Sequence, residues 1–125
     1  METVLIDTNI LIGRFRKEPR AMAALARVDG ASLALCYAVA AELLSGARGK
    51  QEYDAMWQEL NLSFQLLPFT MKVSVSFRDI LAHHAREHGV HLADHLIAAT
   101  AIAHNVPLLT LNTKHFKGIK GLQLA

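Results

Sequence analysis

Three acidic residues of this chain stand where carboxylates are costly. Asp7 breaks the apolar run "VLIDTNILI", Glu42 sits in "AVAAELL" and Asp94 in "HLADHLIAA". An ionised carboxylate in such surroundings needs hydrogen bonds, a counter-charge or a metal ion. Glu2, Glu18, Asp29, Glu52, Asp54, Glu59 and Glu87 lie among polar or turn residues, and only Asp79 in "FRDILAHHA" rivals the three. Asp7 alone could end a strand and cap the following helix, a role that Asp, Thr and Asn fill well. Three such acids brought together would repel one another unless a multivalent cation neutralised them. Oxygen donors without paired Cys or a convincing His set favour Mg²⁺ or Mn²⁺ over Zn²⁺. Asn112, closing "PLLTLN", extends the set as a carbonyl ligand or as an orienter of water. Carboxylate-held Mg²⁺ shares its coordination with substrate phosphates, so the expected chemistry is hydrolysis at phosphorus.

The elements that must position these residues alternate. Thr3 to Ile6 reads as a β-branched-rich strand, followed by a helix from Asn9 that dissolves near Pro19. "PRAMAALARVDG" reads as a helix with Pro19 in its first turn and Gly30 at its end. "SLALCYA" is a buried strand, "AVAAELLSGARG" a helix, and "QEYDAMWQEL" a helix with Tyr53, Met56, Trp57 and Leu60 on one face. "FQLLPF" is a short strand, and Thr70 to about His88 a longer helix with Val73, Phe77, Ile80 and Leu81 at core spacing. "LADHLIAATAIAHN" is a helix rich in small residues, "VPLLTLN" a strand and "GLQLA" a candidate edge strand. Strands alternating with helices imply a mostly parallel sheet covered on both faces, an α/β fold with four to five strands. Ligands of such sheets bind beyond the carboxyl ends of the strands, where Asp7, Glu42, Asp94 and Asn112 are expected.

The 125 residues are 52% hydrophobic and 19% charged with a net charge of +2, which describes one globular domain over 1–125. A mean hydropathy of +0.23 leaves an apolar excess that points to a partner interface. The single cysteine, Cys36, cannot form an internal disulfide and fits a core position. No apolar stretch approaches the length of a membrane span, and a cytoplasmic protein is expected. Arg14, Arg16, Lys17 and Arg20 cluster after Asp7, and Lys114, Lys117 and Lys120 lie near the end. Around an acidic centre, such clusters would guide a polyanion inward. Arg14, Phe15, Arg16, His95 and Lys114 are the candidate contacts to that polyanion, with Phe15 the best stacking residue. Tyr53, Met56, Trp57 and Phe77 are read as core or dimer surface. His84/His88 and His91/His95 have i, i+4 spacing, but without an H-E-x-x-H pattern they do not argue for zinc.

Taken in series, "VLIDTNILI", "YAVAAELLSGA", "LADHLIAATA" and "LLTLNTKHFKGIKGLQL" resemble a PIN-domain nuclease, most closely the VapC-like toxins of bacterial toxin–antitoxin pairs. The resemblance covers nearly the whole chain. It implies a three-layer α/β/α fold, an Mg²⁺- or Mn²⁺-dependent endoribonuclease with one or two ions per site, a homodimer, and a small VapB-like antitoxin that blocks the site. It also implies that Asp7, Asp94 and Glu42 ligate the metal and that Thr8, Asn9 and Thr110 brace the carboxylates. Cleavage would leave 5′-phosphate and 3′-hydroxyl ends, with water as nucleophile. Asn112 falls where many members carry Asp, so one family carboxylate is absent. A receiver-type signalling domain is the competing α/β reading, but its phosphorylated Asp after the third strand and its late Lys have no counterpart here. A non-cleaving PIN-like module binding RNA or protein is the other alternative; the three principal acids argue against it. No G-x-x-x-x-G-K-[ST] motif occurs.

Overall fold

A computed structural model of the chain describes residues 2–87 and 92–125. The element order is β1 (Thr3–Ile6), α1 (Thr8–Phe15), α2 (Pro19–Arg27), β2 (Ser32–Cys36), α3 (Tyr37–Leu44), α4 (Lys50–Ser63), β3 (Gln65–Leu67), α5 (Met71–His84), α6 (Leu92–Ala103), β4 (Leu108–Leu109) and α7 (Thr113–Phe116). The four strands are all parallel in the order β3-β2-β1-β4. Val4, Leu5 and Ile6 are buried in succession, as are Ala34, Leu35 and Cys36. Side chains alternate between the faces of a strand, so consecutive burial means that helices cover both faces, the α/β/α sandwich expected of an all-parallel sheet.

Local chemistry sets most boundaries. Pro19 opens α2, where its missing N–H costs nothing, and Thr70 caps α5 by accepting the Val73 N–H at 3.3 Å. Gly30 turns the chain toward β2 with a φ of 88° that a side chain would strain. Cys36 is fully buried at the end of β2, as expected of a core cysteine, and burial pushes its thiol pKa up. Gly13 lets α1 lie against α2, since a Cβ there would collide with the Ala21 methyl. Gly13→Ala should therefore destabilise the fold by about 1–3 kcal/mol, outweighing the helix-propensity gain of up to about 1 kcal/mol. A lower urea midpoint at unchanged slope would show it; an unchanged or higher midpoint would mean that the helices can move apart.

Several boundaries differ from the sequence reading. Tyr37 begins α3 instead of prolonging β2, and the last helix before the undescribed residues 88–91 ends at His84. "VPLLTLN" contributes only Leu108–Leu109 to the sheet. Beyond it, the Thr110 hydroxyl accepts the Asn112 N–H at 3.0 Å, a local bond that competes with the ladder and turns the chain. Asn112 consequently precedes α7, a helix the sequence did not suggest, instead of closing a strand. "GLQLA" adds a single bridge, with the Leu108 N–H bonded to the Gln123 carbonyl at 2.9 Å and the Ala125 N–H to the Leu108 carbonyl at 2.8 Å.

Candidate active site at the carboxyl edge of the sheet

From β1 the chain moves through β2 to β3 on one side and returns as β4 on the other. The direction of winding thus reverses at β1, and the crevice between the ends of β1 and β4 is the expected ligand position. Asp7 follows β1, and Thr110 follows β4.

Asp7 is 5% exposed and caps α1. Its Oδ1 accepts the Thr8 N–H at 2.7 Å, and its Oδ2 accepts the Thr110 hydroxyl at 2.7 Å and the Asn9 amide at 3.4 Å. Asn9 also accepts the Leu111 N–H on its Oδ1 at 3.2 Å, tying α1 to the turn after β4. Thr110 and Asn9 thus brace the carboxylate as the family resemblance implies. Thr8 does so differently: its backbone supplies the bond, and its buried hydroxyl has no hydrogen-bond partner. Burial raises the Asp7 pKa, the bonds from Thr110 and Thr8 oppose the rise, and the charge of Asp94 adds to it. Asp7 and Asp94 therefore feel each other, the repulsion expected of converging acids.

Asp94 stands in the first turn of α6, where the helix dipole favours an anion. Its Oδ2 lies 3.3 Å from His115 Nδ1, and the same Nδ1 lies 2.8 Å from the Asn112 side-chain amide. The Asn112 amide nitrogen also lies 3.3 Å from His115 Nε2, so it sits against both ring nitrogens. His115 is absent from the residues singled out in the sequence. Its only signal there is the spacing Asn112-x-x-His115, which brings the two side chains together across the one-turn helix α7.

Glu42 is exposed on α3. Its charge reaches the Cys36 thiol at the end of β2. Among the candidate RNA contacts, Arg16 and Lys114 are exposed. His95 is 4% exposed with Nε2 unpartnered, so it does not present itself to a polyanion as expected. Arg14 places its guanidinium 5.0 Å from the centre of the Phe64 ring. Phe15 faces an apolar cleft of about 330 Å³ whose lining includes Glu52 and Glu59. Glu52 pairs there with Arg48 at 3.4 Å, and Phe15 itself is 48% exposed. His84 pairs with Glu87 at 2.8 Å, while His88 and His91 lie outside the described residues.

Among the described residues, no three His, Cys, Asp or Glu side chains form a metal cage. Mg²⁺ does not require one, because it is commonly held by one or two carboxylates, with waters and substrate phosphates completing the octahedron. Two opposed carboxylates, one of them buried, and an unsatisfied buried hydroxyl beside them suit such an ion. The hydrogen bonds to Asp7 also leave acceptor capacity unused.

A family profile described as PIN domain matches residues 4–122. The chain belongs to the PIN-domain family. Within it, this PIN domain groups with the VapC ribonucleases. It is 35% identical to Ribonuclease VapC10 of Mycobacterium tuberculosis, covering 90% of this chain and 85% of that one. It is 32% identical to Ribonuclease VapC19 of the same species, covering 95% and 96%. Among solved structures, VapBC2 of Rickettsia felis bound to a DNA fragment from its promoter superposes with a TM-score of 0.78 at 25% identity, covering 98% and 97% of the two chains. The fold expectation is thereby met, and the receiver-domain reading is set aside. Among the described residues, no helix is long and apolar enough to cross a membrane.

Proposed function

We propose that this PIN domain is the toxin of a toxin–antitoxin pair, a metal-dependent endoribonuclease that leaves 5′-phosphate and 3′-hydroxyl ends. The carrying observation is the buried Asp7 carboxylate, braced by Thr110 and set against Asp94 in the crevice between β1 and β4. Asp7 and Asp94 would hold Mg²⁺ or Mn²⁺, and Glu42 would join them directly or through water. Such an ion supplies Lewis acidity toward the scissile phosphodiester and an activated water. Thr110 and Asn9 fix the Asp7 oxygens, while Asn112 fixes His115 against Asp94. Arg16 and Lys114 carry the positive charge that draws the RNA backbone in. In this reading residues 1–125 form one domain, acting in the cytoplasm as a homodimer and silenced by a small VapB-like antitoxin over the site. The relatives' ribonuclease names support the nuclease, and the solved VapBC neighbours support the antitoxin partner.

Thr110→Val should leave the fold intact and lower cleavage by about 10- to 100-fold, the usual loss when a group supporting a ligand is removed. Thr110→Ser, which keeps the hydroxyl, should retain most of the rate. Equal rates for all three proteins would remove Thr110 from the site. The proposal as a whole is tested by induced expression in bacteria: growth arrest by the wild type and normal growth with an equally abundant Asp94→Asn protein are expected. Arrest by both would overturn the assignment.

A further inference from the structure

The carboxyl edge of the sheet continues past Asp7. β1 ends at Ile6, β2 at Cys36 and β3 at Leu67, so Asp7, Tyr37 and Pro68 leave neighbouring strands at one edge. Adjacent strands lie about 4.8 Å apart. Directly beside the acids, therefore, the edge carries aromatic rings. Tyr37 is 40% exposed and Phe69 50% exposed, with centroids 6.0 Å apart and planes inclined by 53°. Trp57 lies 6.4 Å from Tyr37 at 57° and donates its indole N–H to the Tyr53 hydroxyl at 2.8 Å. His104 Nε2 meets the Pro68 carbonyl at 2.9 Å and fixes the turn that carries Phe69.

These rings line a cleft of about 520 Å³, within the size range of small-molecule sites. Its walls include Ala38 and Ala41 of α3, the helix that carries Glu42, and Leu96 of α6, two residues after Asp94. It opens at the same carboxyl edge as Asp7, one and two strands along. Among the described residues no charged side chain lines it, in contrast to the cleft beside Phe15. A polyanion meets no repulsion there, and the inclined rings do not stack on one another.

We infer that this cleft takes a nucleobase of the RNA strand next to the scissile phosphate, stacked on Tyr37 and Phe69. The inference rests on the nuclease reading above. Stacking on an aromatic side chain is tolerant of base identity and contributes about 5- to 150-fold in affinity per base. It would set the strand's path across the edge, while a cation held by Asp7 and Asp94 would set the register of the scissile phosphate.

Trp57 is the only tryptophan, so its emission reports on the cleft directly. The test uses the Asp7→Asn protein with Mg²⁺ and a short single-stranded RNA spanning a cleavage position mapped with the wild type. A matched set of oligonucleotides carries an abasic residue at each flanking position in turn. Intact RNA should change Trp57 emission, and one abasic position should abolish that change. Phe69→Ala should weaken binding of intact RNA by about 5- to 150-fold and leave binding of that abasic RNA unchanged, while Tyr37→Phe should behave like the parent. Equal binding of intact and abasic RNA, with cleavage by the wild type retained, would overturn the stacking site alone. Conversion of a dimer to monomer by Phe69→Ala in sedimentation, without an effect on RNA binding, would assign the cleft to a second copy. A wild type that neither binds nor cuts RNA would overturn the nuclease reading as well.

Discussion

Asp7→Asn is expected to fold normally and to cleave RNA more than about 100-fold more slowly than the wild type, beyond the loss typical of a supporting residue. The substitution is nearly isosteric. Its amide oxygen can still accept the Thr8 N–H and its NH₂ can donate to Thr110, whose hydroxyl reverses role, while the weak 3.4 Å bond from the Asn9 amide is lost. What disappears is the charge that would hold a divalent cation. Asp94→Asn should act alike, because Asp94 is the acid whose charge reaches Asp7. Glu42→Gln should cost less, since its exposed position suits a contact through water. A Glu42 effect as large as that of Asp7 would mean that α3 supplies a full ligand. Single-turnover cleavage with the three variants at equal concentration gives the ranking.

The second large effect concerns stability. Burial and Asp94 raise the Asp7 pKa, so folding favours the protonated acid. The sign of the pH dependence follows: in the metal-free protein the Asp7 contribution to stability is fully present below the ordinary carboxylate range and is lost as pH rises through the elevated native value. At neutral pH the metal-free Asp7→Asn protein should therefore melt higher than metal-free wild type, an unusual direction for a substitution at a hydrogen-bonded buried residue. Mg²⁺ or Mn²⁺ should reverse the order. A cation at a hundred times its Kd adds about 2.7 kcal/mol to the native state, on the order of 10 °C for a domain of this size. The variant should gain much less. Melting curves at several pH values, with and without metal, read both effects; equal metal shifts in the two proteins would place the cation elsewhere.

Much of this arrangement is legible in the sequence because carboxylates are conspicuous in apolar runs. Asp7 and Asp94 stand out in the residue order itself, and alternation of short strands with helices implies the edge at which they meet. Thr110 is recognisable as a hydroxyl one strand away. Other features have no comparable signal. His115 sits in "TKHFKG", a stretch that looks like ordinary solvated surface, and its role depends on the short helix α7, which four residues cannot announce by periodicity. The hydroxyl of Thr8 draws attention in the sequence, yet its backbone N–H makes the contact, a choice fixed by the capping geometry of Asp7. Phe15 and Arg14 belong to a basic segment suited to RNA, but tertiary packing sets one beside Glu52 and Glu59 and the other over Phe64. Tyr37 reads as strand because "SLALCYA" is evenly apolar, which conceals that the chain turns into α3 just where the aromatic cleft begins.

The most direct test of the central claim is cleavage of end-labelled RNA by purified protein in Mg²⁺, Mn²⁺ or EDTA, wild type beside Asp7→Asn. Discrete fragments with 5′-phosphate ends, lost both in EDTA and in the variant, are the predicted result. Cleavage that persists in EDTA or in Asp7→Asn, or no cleavage by folded wild type freed of any partner, would contradict it and leave Asp7 as the cap of α1.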